Sequence, residues 1–585
     1  MAHTRLMEKP LPMTSQEMHL RGWDQLDVLI ITGDAYIDHP SFGAAVIGRV
    51  LQSAGYRVGI IAQPDWTKPE SFTAMGIPRL FAGVTGGNMD SMVNHYTSTN
   101  RLRSDDAYTP GGLAGKRPDR AVLKYTNSLQ RVMKGVPVVL GGIEASLRRV
   151  THYDFWSDSL KKSILLDSKA TILVYGMGES QIVRIAGCIE SGESLSGIPG
   201  TARAVHESRF EPAEGDVLLP SHEDLASNPV EMLELSRLIE ANMNPWCGER
   251  LVQRSDSRVV IVEPPAEPLS TVEMDKVYDL PFTRQPHPSY KSEIPAFGMI
   301  MDSITVVRGC GGGCSFCAIG LHQGKFLTSR SSDSVIREVA SISSMSSFRG
   351  TISDLGGPTA NMYGLGCKDP DQMKRCRKPS CLFPEICTCF KTDHSSYIRL
   401  LDKAGQSPGV RNVFISSGIR HDVALRDSRF IERLASANIS GHLRIAPEHT
   451  HDRILALMRK PSRDVWEKFA GEFRKNAERS GKRQYIVPYI IAAFPGCTIG
   501  DMQAARSFLE TQGAIPRQVQ IFLPTPMTVA TAMYFSGRSY PDGEPLRIPR
   551  KSSDKQRQKD ILLQGIGEQD NHYSNNPVKG KINHR

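Results

Sequence analysis

Short apolar runs alternate with amphipathic stretches along the first part of the chain. Several of these runs end on glycine, and the residues between them have helical spacing, as at Ala45, Val46 and Val50. The runs are residues 27–31, 58–62, 137–142 and 171–179. Strands that are apolar throughout are typical of a parallel sheet buried on both faces. We therefore predict an α/β fold that begins with a doubly wound parallel sheet.

The same alternation returns in the second half of the chain. Between the runs lie amphipathic helices, such as the one predicted from Val335, Ile336, Val339 and Ile342, with Ser332 or Asp333 as its cap. The runs are residues 304–307, 350–355, 412–416, 442–446, 485–493 and 518–523. Six β/α repeats predict a partial (β/α)6 barrel, with its chemistry at the carboxyl ends of the strands.

These patterns divide the chain into five parts. The region between the two α/β units is rich in proline and has weak periodicity, so we expect a partly ordered connection. The last part is polar and mixed in charge, which favours a solvated tail. The predicted parts are an N-terminal extension (1–25), a doubly wound domain (26–200), a connecting region (201–295), a barrel (296–540) with a cysteine-rich insertion (356–394), and a polar tail (541–585).

The composition is that of an ordinary soluble protein. Of the 585 residues, 40% are hydrophobic and 23% charged, and no apolar run is long enough to cross a membrane. The first residues do not form a signal peptide, so we expect a cytoplasmic protein without a membrane partner. The net charge of +9 permits a nucleic-acid partner without indicating one. The eleven cysteines are better explained as reduced metal ligands than as disulfides.

Three of the cysteines, Cys310, Cys314 and Cys317, lie in a glycine-rich loop after the run at 304–307. Four thiolates complete a four-iron cluster, so three leave one iron without a protein ligand. An open metal position is typical of catalytic sites. The alternatives are a zinc site or three buried thiols. Buried thiols rarely share a glycine-rich loop, and zinc would need a fourth ligand nearby.

The spacing Cys-x3-Cys-x2-Cys, with Phe316 before the last cysteine, resembles the signature of the radical S-adenosylmethionine (SAM) superfamily. The resemblance implies a four-iron, four-sulfur cluster whose fourth iron is chelated by the amino and carboxylate groups of SAM. It also implies that an electron from the cluster cleaves the sulfonium to a 5′-deoxyadenosyl radical.

Further motifs make most of the chain similar to the YgiQ family of radical SAM proteins, whose reaction is not established. The motifs occur in one order together with the cysteine loop, which leaves little room for coincidence. They are residues 34–40 (DAYIDHP), 140–146 (LGGIEAS), 356–363 (GGPTANMY), 446–450 (APEHT) and 522–526 (FLPTP).

The resemblance also suggests which residues hold SAM. Gly356 and Gly357 resemble the glycine pair that seats the methionine amino group, and an edge without side chains exposes backbone carbonyls to an ammonium. Ser417 and Arg420, together with Ser416, follow the third barrel strand and could hold the ribose or carboxylate. Glu448, past the fourth strand, could accept hydrogen bonds from the ribose. A loop or capping role is the alternative for each polar residue.

A second group of cysteines lies in the insertion, in a segment too polar to be a core element. We expect Cys367, Cys376, Cys381 and Cys387 to bind a metal, because exposed free thiols at this density are a liability. Their spacing is not that of paired Cys-x2-Cys zinc sites, so zinc and a second iron–sulfur cluster both stay open. Unliganded or redox-active cysteines are the alternative. Cys389 does not match a family position.

A doubly wound domain ahead of the barrel resembles the cobalamin-dependent radical SAM enzymes. However, residues 38–43 (DHPSFG) miss the Asp-x-His-x-x-Gly spacing that ligates cobalt in other cobalamin folds. Cobalamin bound without a protein ligand therefore stays an alternative to a substrate-binding or architectural domain, which we favour.

Three functions follow from these features. The favoured one is an enzyme that forms a 5′-deoxyadenosyl radical and acts on an unidentified substrate, with an unidentified electron donor. The second is an RNA- or protein-modifying enzyme akin to the methylthiotransferases, although no RNA-binding module is recognisable. The third is a non-catalytic iron–sulfur sensor.

Overall fold

A computed structural model of the chain describes residues 9–514, 516 and 519–564. The first half contains short strands, and the central strands of its sheet are largely buried. In chain order these strands are β1 (Val28–Thr32), β2 (Ile37–Asp38), β3 (Val58–Ala62), β4 (Phe81–Thr85), β5 (Val138–Gly141), β6 (His152–Asp154), β7 (Ser159–Lys161), β8 (Ile172–Val174), β9 (Thr201–His206), β10 (Val217–Leu218), β11 (Leu251–Ser255), β12 (Arg258–Val262) and β13 (Gln285–Pro286).

Within the described residues, nine of these strands form one sheet in the order β10-β11-β12-β9-β8-β5-β4-β1-β3. The run from β8 to β3 is parallel, with Val28 of β1 opposite Val58 of β3 and Phe81 of β4. Strands β9 and β12 continue the sheet in antiparallel fashion. The chain leaves β1 in one direction, to β3, and then crosses to β4 on its other side. The switch point therefore lies between β1 and β4.

Helices cover both faces of the sheet. The helices of this half are α1 (Ser15–His19), α2 (Gly43–Ser53), α3 (Ser91–His95), α4 (Ala121–Val132), α5 (Gly142–Ser146), α6 (Ile164–Ser168), α7 (Glu179–Ser191), α8 (His222–Ser227), α9 (Glu231–Ala241), α10 (Thr271–Tyr278) and α11 (Pro295–Ile300). Val28 and Ile30 of β1 share a core with α2 and α7, whereas Leu29 and Ile31 share one with α4. Burial on both faces explains why β1 is apolar at every position but its last.

The second half contains the parallel strands of the barrel and one antiparallel pair, β15 with β16. Its strands are β14 (Ser303–Thr305), β15 (Val307–Arg308), β16 (Thr328–Ser329), β17 (Thr351–Ile352), β18 (Asp354–Gly356), β19 (Asn412–Val413), β20 (His442–Glu448), β21 (Tyr485–Ala492) and β22 (Val519–Ile521). Parallel pairing joins β14 to β18, β17 to β19, and β20 to β21 to β22. A parallel bridge between Ile419 and Ile445 connects the third strand to the fourth.

Helices separate these strands and pack around them. They are α12 (Ile319–Gln323), α13 (Ser332–Ser343), α14 (Pro370–Arg375), α15 (Ser395–Gly405), α16 (His421–Ala424), α17 (Ser428–Arg433), α18 (Asp452–Met458), α19 (Arg463–Arg479), α20 (Ile499–Thr511), α21 (Val529–Ser536) and α22 (Ser552–Leu563). Val335, Val339 and Ile342 of α13 are buried as predicted, but Ser331, not Ser332 or Asp333, caps the helix. The predicted fold class, a doubly wound sheet followed by a partial (β/α)6 barrel, is confirmed.

Three segments differ from the predicted organisation. Residues 201–262, expected as part of a connection, supply four strands to the nine-stranded sheet of the described chain. The predicted extension is packed as far as it is described, since Leu11 and Met18 are buried. The predicted tail contains α22, whose Ile561 and Leu562 are buried, while residues 565–585 lie outside the described residues.

The two halves share a buried polar interface. Arg308, at the end of β15, donates to Glu179 of α7 at 2.5 Å, and Arg459 pairs with Glu240 at 2.7 Å. The oxygen of His322 in α12 would lie 3.2 Å from a Cβ atom placed on Gly176. The cysteine loop therefore adjoins the carboxyl ends of the sheet strands. In the described part of the chain, no helix has the length and apolar character to cross a membrane.

Candidate active site

The cysteine loop begins at a backbone position that only glycine tolerates. Gly309 has φ +82°, and a Cβ atom there would lie 2.1 Å from the carbonyl oxygen of Phe326. The loop then turns back, because Cys310 N–H donates to the oxygen of Gly324 at 3.1 Å. This turn places the cysteines at the carboxyl end of the first barrel strand, as predicted.

The loop brings the three thiols together. A Cβ atom placed on Gly312 would lie 3.4 Å from Cys310 Sγ and 3.8 Å from Cys314 Sγ, and Cys317 N–H donates to the oxygen of Cys314 at 3.1 Å. Burial raises the pKa of Cys317 to about 12, and the charges of Cys314 and Cys310 add to the rise. Such a thiol becomes a thiolate only when bound metal charge stabilises it. The cradle left by Gly312 therefore fits a cluster ligated by these residues.

Arg420 brings a positive charge to this cradle. Its Nη1 lies 3.5 Å from Cys314 Sγ, while Nε and Nη2 donate to the carboxylate of Asp422. Arg420 N–H also donates to Asn361 Oδ1 at 2.8 Å, and Thr359 Oγ1 lies 3.4 Å from Cys310 Sγ. The segment 356–363 and the segment after the third strand thus meet at the cysteine loop.

The glycine pair lies at the same edge, but one of its carbonyls is already used. The oxygen of Gly356 accepts a hydrogen bond from Val306 N–H at 2.7 Å. A Cβ atom on Gly357 would lie 2.5 Å from the oxygen of Val307, and one on Gly356 would lie 2.5 Å from Ser417 Oγ. Because Gly356 and Gly357 have no side chains, the segments that contain Val307 and Ser417 can pack closely against them, in addition to any contact with SAM.

Ser417 is held by a carboxylate, so its hydroxyl proton is committed. Its Oγ donates to Asp354 Oδ2, and the N–H groups of Ser416 and Ser417 donate to Asp354 Oδ1 at 2.8 and 3.0 Å. Burial raises the pKa of Asp354, while these hydrogen bonds oppose the rise. In the predicted ribose-binding role, Ser417 could therefore only accept hydrogen bonds, through the lone pairs of its Oγ.

Glu448 lies at the end of β20 in a strained left-handed conformation, with φ +72°. Its carboxylate is 3.8 Å from Lys460 Nζ, and burial raises its pKa although Lys460 and Arg420 oppose the rise. The charge of Glu448 also acts on the thiol of Cys317. A buried carboxylate near the thiols is placed to accept hydrogen bonds from a ligand at the cluster.

A cavity of about 610 Å³ lies between the two halves. This volume is in the range of small-molecule and cofactor sites. Its wall includes Asp34, Thr85 and Gly141 from the sheet and Arg308, Gly357 and Pro358 from the barrel. Burial raises the pKa of Asp34 to about 6, opposed by Arg117, whose Nη2 is 2.9 Å from Asp34 Oδ1. The cavity lies at the switch point of the sheet and reaches the glycine pair of the barrel.

Sequence comparisons identify the family. The family described as Radical SAM N-terminal matches residues 10–303, and the Radical SAM superfamily matches residues 304–509. A domain of unknown function (DUF3362) matches residues 517–569. A UPF0313 protein of Methanocella arvoryzae is 46% identical over 553 residues, covering 94% of this chain and 92% of that protein.

The chain belongs to the UPF0313 family of radical SAM proteins. The UPF0313 protein YgiQ of Salmonella typhimurium is 43% identical over 587 residues, covering 90% of this chain and 81% of YgiQ. The resemblance to the YgiQ family is thereby confirmed. The specific reaction of UPF0313 proteins is not known.

A solved structure shares the fold of this UPF0313 protein. TsrM of Kitasatospora setae, a radical SAM methyltransferase with cobalamin and a [4Fe-4S] cluster bound, has a TM-score of 0.51 at 16% identity. The likeness covers 92% of this chain and 84% of TsrM. At this identity the likeness establishes the fold alone.

Several residues at the UPF0313 site were not predicted. Thr359 and Asn361 lie inside the motif at 356–363, so their position next to the glycine pair was a usable signal. The sequence contains no signal for Asp354 or Lys460, because both are ordinary charged residues. Their roles depend on the fold, which places Asp354 next to Ser417 and Lys460 next to Glu448.

Proposed function

We propose that this protein cleaves SAM at a cluster held by Cys310, Cys314 and Cys317 and that the resulting radical abstracts hydrogen from an organic substrate. The observation that carries the proposal is the cradle at Gly312, where thiols meet beside the Arg420 guanidinium. A four-iron cluster bound there supplies the electron that cleaves the sulfonium bond.

The surrounding residues bind and orient SAM in this proposal. Arg420 directs Nη1 toward the Cys314 thiol, while Asp422 accepts a hydrogen bond from Nε. A guanidinium that is fixed in this way is suited to bind the carboxylate of SAM. The backbone of Gly356 and Gly357 receives the amino group, and Glu448 accepts hydrogen bonds from the ribose. Asp354 fixes the Ser416–Ser417 turn in which these groups converge.

The cavity between the halves holds the substrate. It reaches Gly357 and Pro358 on the barrel side, so a molecule inside it lies beside the SAM position. Walls from both halves surround the substrate position, and such shielding limits side reactions of a primary carbon radical with other hydrogen atoms. The buried pair of Asp34 and Arg117 gives the cavity a polar wall that a substrate hydroxyl or amine can contact.

Cobalamin is the second candidate occupant. The cavity continues between the sheet and α2, where Ile30, Gly83 and Ile47 line it, and TsrM carries cobalamin. His39 does not fit as a cobalt ligand. It is fully buried and does not line the cavity, although its neighbours Pro40 and Ser41 do. Cobalamin would bind without a histidine ligand from residues 38–43. Absorbance titration with hydroxocobalamin tests this, and no stoichiometric binding excludes it.

Formation of 5′-deoxyadenosine tests the proposed function. The protein is reconstituted with iron and sulfide without oxygen, then given dithionite and SAM, and the products are separated by chromatography. The wild type and a Cys188→Ala control are expected to form 5′-deoxyadenosine, whereas Cys314→Ala forms none. Cys188 suits the control because it is a buried cysteine of α7. An intact cluster without 5′-deoxyadenosine would contradict the proposal and leave the sensor function.

A further inference from the structure

The cysteine-rich insertion packs directly against the cluster loop. Cys381 N–H donates to the oxygen of Gly311 at 2.9 Å, and Ser380 Oγ donates to the oxygen of Gly312 at 2.7 Å. A Cβ atom placed on Gly311 would lie 3.4 Å from Cys381 Cβ and 3.8 Å from its Sγ. Cys381 of the second group therefore lies directly against the loop that carries the first group.

Backbone contacts gather the other cysteines of this group. Cys387 N–H donates to the oxygen of Cys381 at 2.8 Å, and Phe390 N–H donates to the oxygen of Cys387 at 2.8 Å. Phe390 in turn forms an antiparallel bridge with Cys367. These contacts bring the chain around Cys367, Cys381 and Cys387 together beside the first loop.

A buried cation faces this group. Lys325 is 7% exposed, and its Nζ donates to the oxygens of Cys376 and Lys378 at 3.0 and 2.6 Å and lies 3.7 Å from Cys376 Sγ. Lys325 Nζ also lies 4.9 Å from the centre of the Phe326 ring. A buried ammonium is stabilised by nearby negative charge, and thiolates bound to a metal supply such charge.

The position of this group beside the first loop favours a cluster over zinc. Zinc has no redox chemistry, whereas an iron–sulfur cluster next to the loop can exchange an electron with the cluster on it. The sequence spacing of Cys367, Cys376, Cys381 and Cys387 also differs from the paired Cys-x2-Cys spacing of structural zinc sites.

We propose that Cys367, Cys376, Cys381 and Cys387 bind a second iron–sulfur cluster that relays electrons to the cluster on the first loop. This inference rests on the proposed function, because it supplies the electron for SAM cleavage. An external carrier loses one electron and the second cluster gains it. The second cluster is then reoxidised as the first is reduced, and no bond or proton is exchanged between them.

The surface of the insertion indicates the class of carrier. Exposed cations outnumber exposed anions between residues 367 and 391. The cations are Lys368, Lys374, Arg375, Arg377, Lys378 and Lys391, and the anions are Asp369, Asp371 and Glu385. A positive surface accelerates the encounter with a negatively charged partner. The carrier in this proposal is therefore an acidic electron-transfer protein.

Metal analysis of reconstituted variants tests the second site. The wild type is expected to hold about eight iron and eight sulfide per chain, as two four-iron clusters require. The double variant Cys367→Ala/Cys376→Ala, which leaves the contact of Cys381 with the loop intact, is expected to lose about half of both and one of two EPR signals. The EPR signal that changes on addition of SAM is expected to remain in the double variant. Cys389→Ala, in the same segment, is the matched control and keeps both clusters.

The relay has its own readout. Dithionite reduces the first cluster directly, so the double variant is expected to keep dithionite-driven SAM cleavage but to lose reduction by an acidic ferredoxin used as the probe. Zinc in place of iron, four iron in the wild type, or unchanged reduction by ferredoxin would overturn the inference. Two clusters without any 5′-deoxyadenosine would instead sustain the metal site and refute the proposed function.

Discussion

At the scale of single residues, Arg420 couples the thiols to the proposed SAM carboxylate. Its guanidinium donates to Asp422 with two nitrogens and keeps Nη1 3.5 Å from Cys314 Sγ. A lysine ammonium cannot reproduce this planar fork. Arg420→Lys is therefore expected to keep its iron but to bind SAM about tenfold more weakly, the loss of one charge-assisted hydrogen bond of about 1.5 kcal/mol.

Titration of the reduced protein with SAM, followed by EPR, measures this change. Arg429→Lys is the control, because Arg429 is exposed and pairs with Asp427 away from the loop. Equal SAM affinity in Arg420→Lys and the wild type would show that Arg420 does not contact SAM.

At Gly357, one added methyl group is expected to disturb the cysteine loop that holds the cluster. The Cβ atom would lie 2.5 Å from the oxygen of Val307 and 2.8 Å from its Cγ1, and Val307 precedes the cysteine loop by two residues. Gly357→Ala is expected to destabilise the fold by about 1–3 kcal/mol and to lower iron occupancy. Thermal unfolding and iron content per chain measure both effects.

Gly418→Ala is the matched control, since a Cβ atom there meets no atom within 4 Å. If both substitutions have the same effect, close approach of the strands is not the reason for the glycine.

At the scale of elements, apolar periodicity predicts four of the five parallel strands from β8 to β3, but it misses the parallel strand β4 and the antiparallel strands. The run at 58–62 coincides with β3, because a strand buried on both faces has to be apolar throughout. In β9, by contrast, four of the six residues are half-buried or exposed, and β10 is only two residues long. Such strands lack a clear period, so the sequence predicted a connection where the sheet continues.

Helix α22 was missed because some of its buried positions are polar. Lys555 is 3% exposed, its Nζ lies 3.3 Å from Tyr534 Oη, and it stacks 4.4 Å from the centre of the Phe155 ring. Burial lowers the pKa of Lys555 to about 8, and Arg550 adds to this shift. The helix thus joins the end of the chain to the first half.

The lowered pKa of Lys555 makes stability depend on pH. The folded pKa lies below the unfolded one, so the stability contributed by this group is present above the unfolded pKa of about 10.4 and is lost as the pH falls through about 8. Lys555→Met is therefore expected to raise the melting temperature by a few degrees at pH 7. The gain should shrink toward pH 10.

Melting curves at both pH values, with Lys559→Met as the control on the same helix, check this expectation. A gain that is independent of pH would mean that the pKa of Lys555 is the same in the folded and the unfolded protein, and it would contradict the lowered pKa.

At the scale of the whole molecule, the buried pair of Glu179 and Arg308 ties the sheet to the barrel beside the cysteine loop. Glu179→Gln leaves the Arg308 guanidinium buried without a countercharge, which is expected to destabilise the protein by about 3–5 kcal/mol. Because Arg308 is two residues from Cys310, iron occupancy should fall as well. Calorimetry and iron analysis measure the two effects.

Glu190→Gln, an exposed position of the same helix that pairs with Arg79, should change neither quantity. If Glu179→Gln unfolds like the wild type and keeps its iron, the interface does not support the loop.

The cysteine loop could be predicted from the sequence because its ligands lie within eight residues. The cavity could not, since Asp34 and Gly357 approach each other only when sheet and barrel pack together. The sequence located Arg420, but its contact with Cys314 depends on the barrel, which brings the segment after the third strand next to the cysteine loop. Local spacing encodes the cluster ligands, whereas the substrate space depends on the assembly of both halves.

The central claim is that the three cysteines leave one iron open for SAM. EPR of the oxygen-free, dithionite-reduced protein with and without SAM tests it most directly, with nitrogen-labelled SAM to detect coupling to the amino group. We expect the signal to change on addition of SAM and to show that coupling. An unchanged signal in protein that binds SAM, or the same signal in Cys314→Ala, would contradict the account.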